Sequence, residues 1–145
     1  MRTGKVLLNV FLVLAVLISM AIAIAGQHAN EDLYMSLCSG RDTAQGRLGQ
    51  PDEWSYVTQG KIWVNQGWAS GLIYYCSFVA FDALGPVLIK GILLTLTLVV
   101  CYQKCRRMGI ETEVSLFAIV VGLLGMAPFL SIIAENFGIL YLILL

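Results

Sequence analysis

The chain has 145 residues, 59% of them hydrophobic and 12% charged, and its mean hydropathy is +0.82; soluble domains carry roughly 25% charged residues. Nine basic residues balance nine acidic ones, which excludes a polybasic surface for nucleic acid, and the length suits one small helical bundle. The fold class expected is an all-α integral membrane protein, with about three transmembrane helices and a long external loop bearing surface or juxtamembrane helices. It divides into an N-terminal anchor (1–26), an external loop with a juxtamembrane helix (27–86) and a transmembrane helical region (87–145).

Val6 to Ala25 is an apolar run of about bilayer length. Arg2 and Lys5 precede it and favour a cytoplasmic N-terminus. Ala23-Ile24-Ala25 resembles a signal-peptidase site, but secretory h-regions run only ~7–15 residues, so a retained anchor is the better reading.

Gln27 to Gly67 forms the first external loop, with acidic residues in excess and the single histidine, His28. A structureless loop of that length is unusual, so short surface helices are expected, with turns at Gly46, Gly49, Pro51 and Gly60. Trp68 to Phe81 and Val87 to Tyr102 are both apolar and are separated by a breaker, Asp82-Ala83-Leu84-Gly85-Pro86. Were both to span, Lys104, Arg106 and Arg107 would emerge outside, against the positive-inside tendency. The preferred arrangement lays Trp68 to Phe81 along or into the outer leaflet, runs Val87 to Tyr102 inward, and lets Lys90 snorkel to the interface. Val114 to Ile133 then returns outward with Pro128 kinking or ending it. Phe137 to Leu145 is an apolar tail too short to span as a helix; it is either the start of a longer span or a face for a partner.

Two polar, aromatic stretches carry a resemblance. Asn30-Glu31-Asp32-Leu33-Tyr34-Met35-Ser36-Leu37-Cys38-Ser39-Gly40 is followed by Asp52-Glu53-Trp54-Ser55-Tyr56-Val57-Thr58 and by Lys61-Ile62-Trp63-Val64-Asn65-Gln66-Gly67-Trp68. In order and approximate spacing, over residues 30 to 92, this resembles the first external loop of polytopic bacterial glycosyltransferases of the GT-C superfamily, which includes protein mannosyltransferases, aminoarabinose transferases and oligosaccharyltransferases. The resemblance covers only the N-terminal part of such an enzyme. It implies Asp32 as general base or metal ligand beside a lipid-phosphate sugar donor, with Asp52 in support. Asn30 stands where the family has an aspartate, and Ser36 and Gln66 stand where it has histidines. An amide neither accepts a proton at neutral pH nor binds hard cations well, so common ancestry of fold is implied more strongly than shared chemistry.

Each of these residues also has a plainer role. Asp32 suits a solvated loop, and Asp52 a helix cap. Trp54, Trp63, Trp68, Tyr74 and Tyr75, with Lys90, suit lipid or interface contact. Cys38 and Cys76 would lie on the outer face, where a disulfide is possible, whereas Cys101 and Cys105 at the inner end of a helix are expected as free thiols. His28 has no partner at metal-ligand spacing, and no metal or cofactor is expected. Phosphate-cradling glycine loops, Cys-x-x-Cys pairs and Gly-x-Ser-x-Gly elbows are absent from the sequence. Ala118, Gly122 and Gly125 leave a small-residue face that would admit a close helix neighbour, or else mark ordinary helix flexibility.

The function expected is that of a small accessory subunit. It would sit in a bacterial inner membrane with its long loop periplasmic, among lipids and docked to the subunits of a larger complex, respiratory and photosynthetic assemblies being candidates. The alternative is the N-terminal part of a GT-C-like transferase using a polyprenyl-phosphate sugar.

Overall fold

The computed structural model describes residues 2–25, 31–51, 56–57, 59–62, 66–126 and 135–144. Among these the fold is all-α: α1 (Arg2–Ala25), α2 (Glu31–Ala44), α3 (Trp68–Phe81), α4 (Leu84–Arg107), α5 (Thr112–Met126) and α6 (Glu135–Leu144). The only extended pairing among them is one isolated bridge, Pro51 with Ile62. The chain divides into two compact units, one of residues 1–28 with 90–145 and one of residues 29–89.

In the 29–89 unit, α2 packs on α3. Small residues meet there, Ser36, Ser39 and Gly40 on α2 with Gly71 on α3. The backbones approach so closely that a Cβ at Gly40 would run into the carbonyl of Gly71 and lie 2.7 Å from Tyr75 Cβ. At Gly71 it would lie 3.0 Å from the Ser36 carbonyl oxygen and 3.1 Å from Ser39 Oγ. Such an approach needs residues with little or no side chain, and it rewards them with backbone-to-backbone dispersion contact. Hydroxyls on this face turn back to their own helix: Ser70 Oγ donates to the Gly67 carbonyl at 2.8 Å and Thr43 Oγ1 to the Ser39 carbonyl at 2.8 Å.

The expected breaker is overturned in part. The turn is confined to Asp82 and Ala83; Asp82 takes a positive φ of 53° and its N–H donates to the Phe78 carbonyl at 2.7 Å. Gly85 and Pro86 belong to the first turn of α4. Proline is tolerated there because its missing N–H would have had no intrahelical acceptor. Gly85 serves close approach, since a Cβ on it would meet the Ser77 carbonyl. α4 consequently runs 24 residues, longer than Val87 to Tyr102. It is the one helix among the described residues that is long and apolar enough to cross a membrane by length and composition.

In the other unit, α1 packs along α5. Leu94 and Leu123 form its buried centre, with Val16, Leu98 and Ile119 against them. The N-terminal helix is thus part of this unit rather than a segment standing apart. α4 hands over to α5 through a Schellman turn: Ile110 N–H donates to the Cys105 carbonyl and Gly109 N–H to the Arg106 carbonyl, both at 3.1 Å. Gly109 supplies the left-handed residue, φ 78°, that this turn requires. Arg106 Nη1 donates to the Ile110 carbonyl at 2.6 Å and so satisfies another acceptor at the same helix end. α5 begins at Thr112 and its described course ends at Met126, so the kink expected at Pro128 lies outside the described residues. The apolar tail is helical from Glu135.

Candidate functional site

A concavity lies inside the unit of residues 1–28 and 90–145. It is a cavity of about 260 Å³ bounded by α4, α5 and α6. Helical periodicity explains which residues line it. On α4 they recur as Lys90, Leu93, Leu94, Thr97, Leu98, Cys101 and Cys105, and on α5 as Ser115, Ala118, Ile119, Gly122 and Leu123; Ile139 and Ile143 on α6 complete the wall. Steps of three and four residues place each set on one helix face.

The walls are aliphatic apart from a few polar positions. Lys90 stands in the second turn of α4, and only 1% of its surface is exposed. Its expected snorkelling to an interface is therefore overturned, since the side chain is taken up in the fold. Ser115, also 1% exposed, donates from Oγ to the Glu111 carbonyl at 2.9 Å, which spends its hydroxyl within α5. Cys101 and Cys105 are partly buried free thiols one helical turn apart. Ala118 and Gly122 line the cavity instead of receiving a neighbouring helix, and a Cβ at Gly122 or Gly125 would meet nothing within 4 Å.

The remaining sequence-predicted residues that the structure describes do not line this concavity. Asp32 is exposed in the first turn of α2, where a carboxylate interacts favourably with the helix dipole. Asp52, Trp54, Trp63 and His28 lie outside the described residues. Trp68 opens α3 and is 46% exposed, whereas Tyr75 is half-buried. Tyr74 is 0% exposed, so its assignment to lipid or interface contact is corrected: it is a core side chain, on the α3 face that also carries buried Ser70 and Gly71. Cys38 and Cys76 are free thiols, Cys38 partly buried and Cys76 exposed, and the bridge between them is not formed. Among the described residues no three His, Cys, Asp or Glu side chains gather as a metal site.

Sequence reasoning singled out Lys90, Ala118 and Gly122 without seeing that they share one cavity. Their common signal was present as spacing on two helices, but pairing those helices needed the fold. What these features define, among the described residues, is an all-α protein with an apolar concavity in one of its two units and a buried lysine, Lys90, beside it. Protein-family models, curated proteins and solved structures yield no match to the chain.

Proposed function

We propose that the chain is a small integral membrane protein that serves as an accessory subunit, docked through its helices to a larger membrane complex. The observation that carries this reading is the apolar surface left on the outer faces of its helices. Phe11, Leu14 and Ile18 on α1, Leu88, Ile92 and Leu96 on α4, and Phe117, Val121 and Leu124 on α5 are all exposed. Rows of this kind are not left in water by a soluble monomer; they are covered by lipid or by another protein.

Element lengths support the same reading. At 1.5 Å per residue α4 is ~36 Å long, more than the roughly 30 Å of a bilayer core, while the 14 residues of α3 reach only ~21 Å. On this reading α4 crosses, and Lys104, Arg106 and Arg107 in its last turn mark the cytoplasmic side. α3, with exposed Trp68 at its start, lies on or dips into the opposite leaflet. The first-loop resemblance supports common origin with GT-C transferases rather than their chemistry, because Asn30 and Ser36 replace reactive groups.

The test is purification of the native, tagged full chain from membranes in mild detergent. The expected result is fixed-stoichiometry recovery with other membrane subunits; a monodisperse monomer, or release by carbonate washing, would overturn the proposal. Thiol labelling of Cys105 should proceed only after permeabilisation, and labelling from outside intact cells would reverse the orientation.

A further inference from the structure

We propose that Cys101 and Cys105 form a two-coordinate site for a soft monovalent metal ion, Cu(I), on the α4 wall of the concavity. The inference rests on the two thiols and their surroundings and is independent of docking to a larger complex.

Spacing comes first. The two cysteines stand one helical turn apart on α4, both border the concavity, and both are free and partly buried. Residues four apart on a helix hold their Cβ atoms about 5–6 Å from each other, whereas a disulfide needs about 3.5–4.5 Å. The helix therefore keeps this pair from closing on itself. A metal ion between the sulfurs asks for less: two metal–thiolate bonds of about 2.3 Å laid end to end set the sulfurs about 4.6 Å apart. That separation fits the spacing of the two Cβ atoms with the helix intact.

The number and kind of donors select the ion. A structural zinc ion takes four ligands, and among the described residues no third His, Cys, Asp or Glu joins the pair. Hard cations require several oxygen donors. The rest of the concavity is largely aliphatic, with Leu94, Leu98, Ile119 and Leu123 in its wall, and the Ser115 hydroxyl is already engaged with the Glu111 carbonyl. Thiolates are soft ligands that favour Cu(I), and two sulfurs in line satisfy that filled-shell ion. Binding releases the two thiol protons to water and forms two copper–sulfur bonds, and copper stays in the +1 state throughout. The occupied site carries one net negative charge. Lys104, Arg106 and Arg107, in the last turn of the same helix, offset it.

The experiment uses the purified full chain held in amphipol, without oxygen and with ascorbate, titrated against the coloured Cu(I) complex of bicinchoninate. The chain should withdraw one Cu(I) from the chelator, copper-edge X-ray absorption should show two sulfur neighbours, and equimolar Zn(II) should not displace the ion. Cys101→Ala and Cys105→Ala should each weaken binding by more than the roughly 10–100-fold that loss of an outer-shell partner costs. The double variant Cys38→Ala with Cys76→Ala should bind as the unaltered chain does. Should an α4 variant lose its helical circular dichroism, the unaltered chain decides: bound copper should protect Cys101 and Cys105 from iodoacetamide, read by peptide mass spectrometry, and leave Cys38 and Cys76 reactive. Failure to withdraw copper, a third donor in the absorption spectrum, unchanged affinity in either folded α4 variant, or alkylation of Cys101 and Cys105 that copper does not alter would overturn the proposal.

Discussion

The two units solve helix packing in opposite ways. Within residues 29–89, α2 and α3 meet through Gly40, Gly71 and the serines beside them, and the backbones come within contact distance. Within the unit of residues 1–28 and 90–145, α4 and α5 meet through Leu94, Leu98, Ile119 and Leu123, and a cavity of about 260 Å³ remains beside them. Bulk at a helix interface therefore does not ensure a full interior. Large side chains hold helices apart, and any space they do not reach stays open, whereas glycine and serine faces close by letting the backbones themselves become the packing surface.

That contrast is sharpest at Gly40. Gly40→Ala should destabilise by about 3 kcal/mol, in the upper part of the range for overpacking, because the added Cβ meets the fixed carbonyl of Gly71. Gly71→Ala should cost less, since its nearest neighbours stand at 3.0 Å or more and can give way slightly. Unfolding in mild detergent followed by circular dichroism measures both; equal effects would remove the asymmetry on which the description of this crossing rests. Next in size, Gly109→Ala should cost about 1–2 kcal/mol by forcing a left-handed conformation on alanine at the α4–α5 turn. Thermal unfolding of the variant checks it.

A substitution at the open interface should act in the reverse direction. Gly122→Leu should raise stability by about 1 kcal/mol, combining cavity filling with the better helix propensity of leucine. A large loss of stability in the same assay would show that the space is not free to be filled. The smallest effect is expected at Ser115→Ala, about 0.5–1 kcal/mol for loss of the bond to the Glu111 carbonyl; a cost of several kcal/mol would give that hydroxyl a wider role than fastening the start of α5.

Much of the architecture is legible from composition and punctuation. The apolar run from Trp68 to Phe81 coincides with α3, and Gly46 falls where α2 ends. Gly85-Pro86 misleads, because the same pair that stops a helix also suits the first turn of one. The candidate site is less legible. Lys90 near the start of a long apolar helix reads equally well as a snorkelling residue or a buried one, and nothing local to α4 distinguishes them.

The sequence by itself determined that this is an all-α chain and where its apolar segments lie, because these are properties of composition and pattern along the chain; it read about three of them as spans, whereas among the described residues the structure gives one helix, α4, long and apolar enough to cross a bilayer. Only the tertiary structure decided that Tyr74 and Lys90 turn inward, that Gly40 and Gly71 touch while Gly122 borders open space, and that residues of α4, α5 and α6 border one concavity. The physical reason is that α3, α4 and α5 are apolar around most of their circumference, so periodicity does not mark an inner face. Which face is buried is then chosen by how closely the neighbouring helices can approach, and that depends on residues brought together from distant parts of the chain.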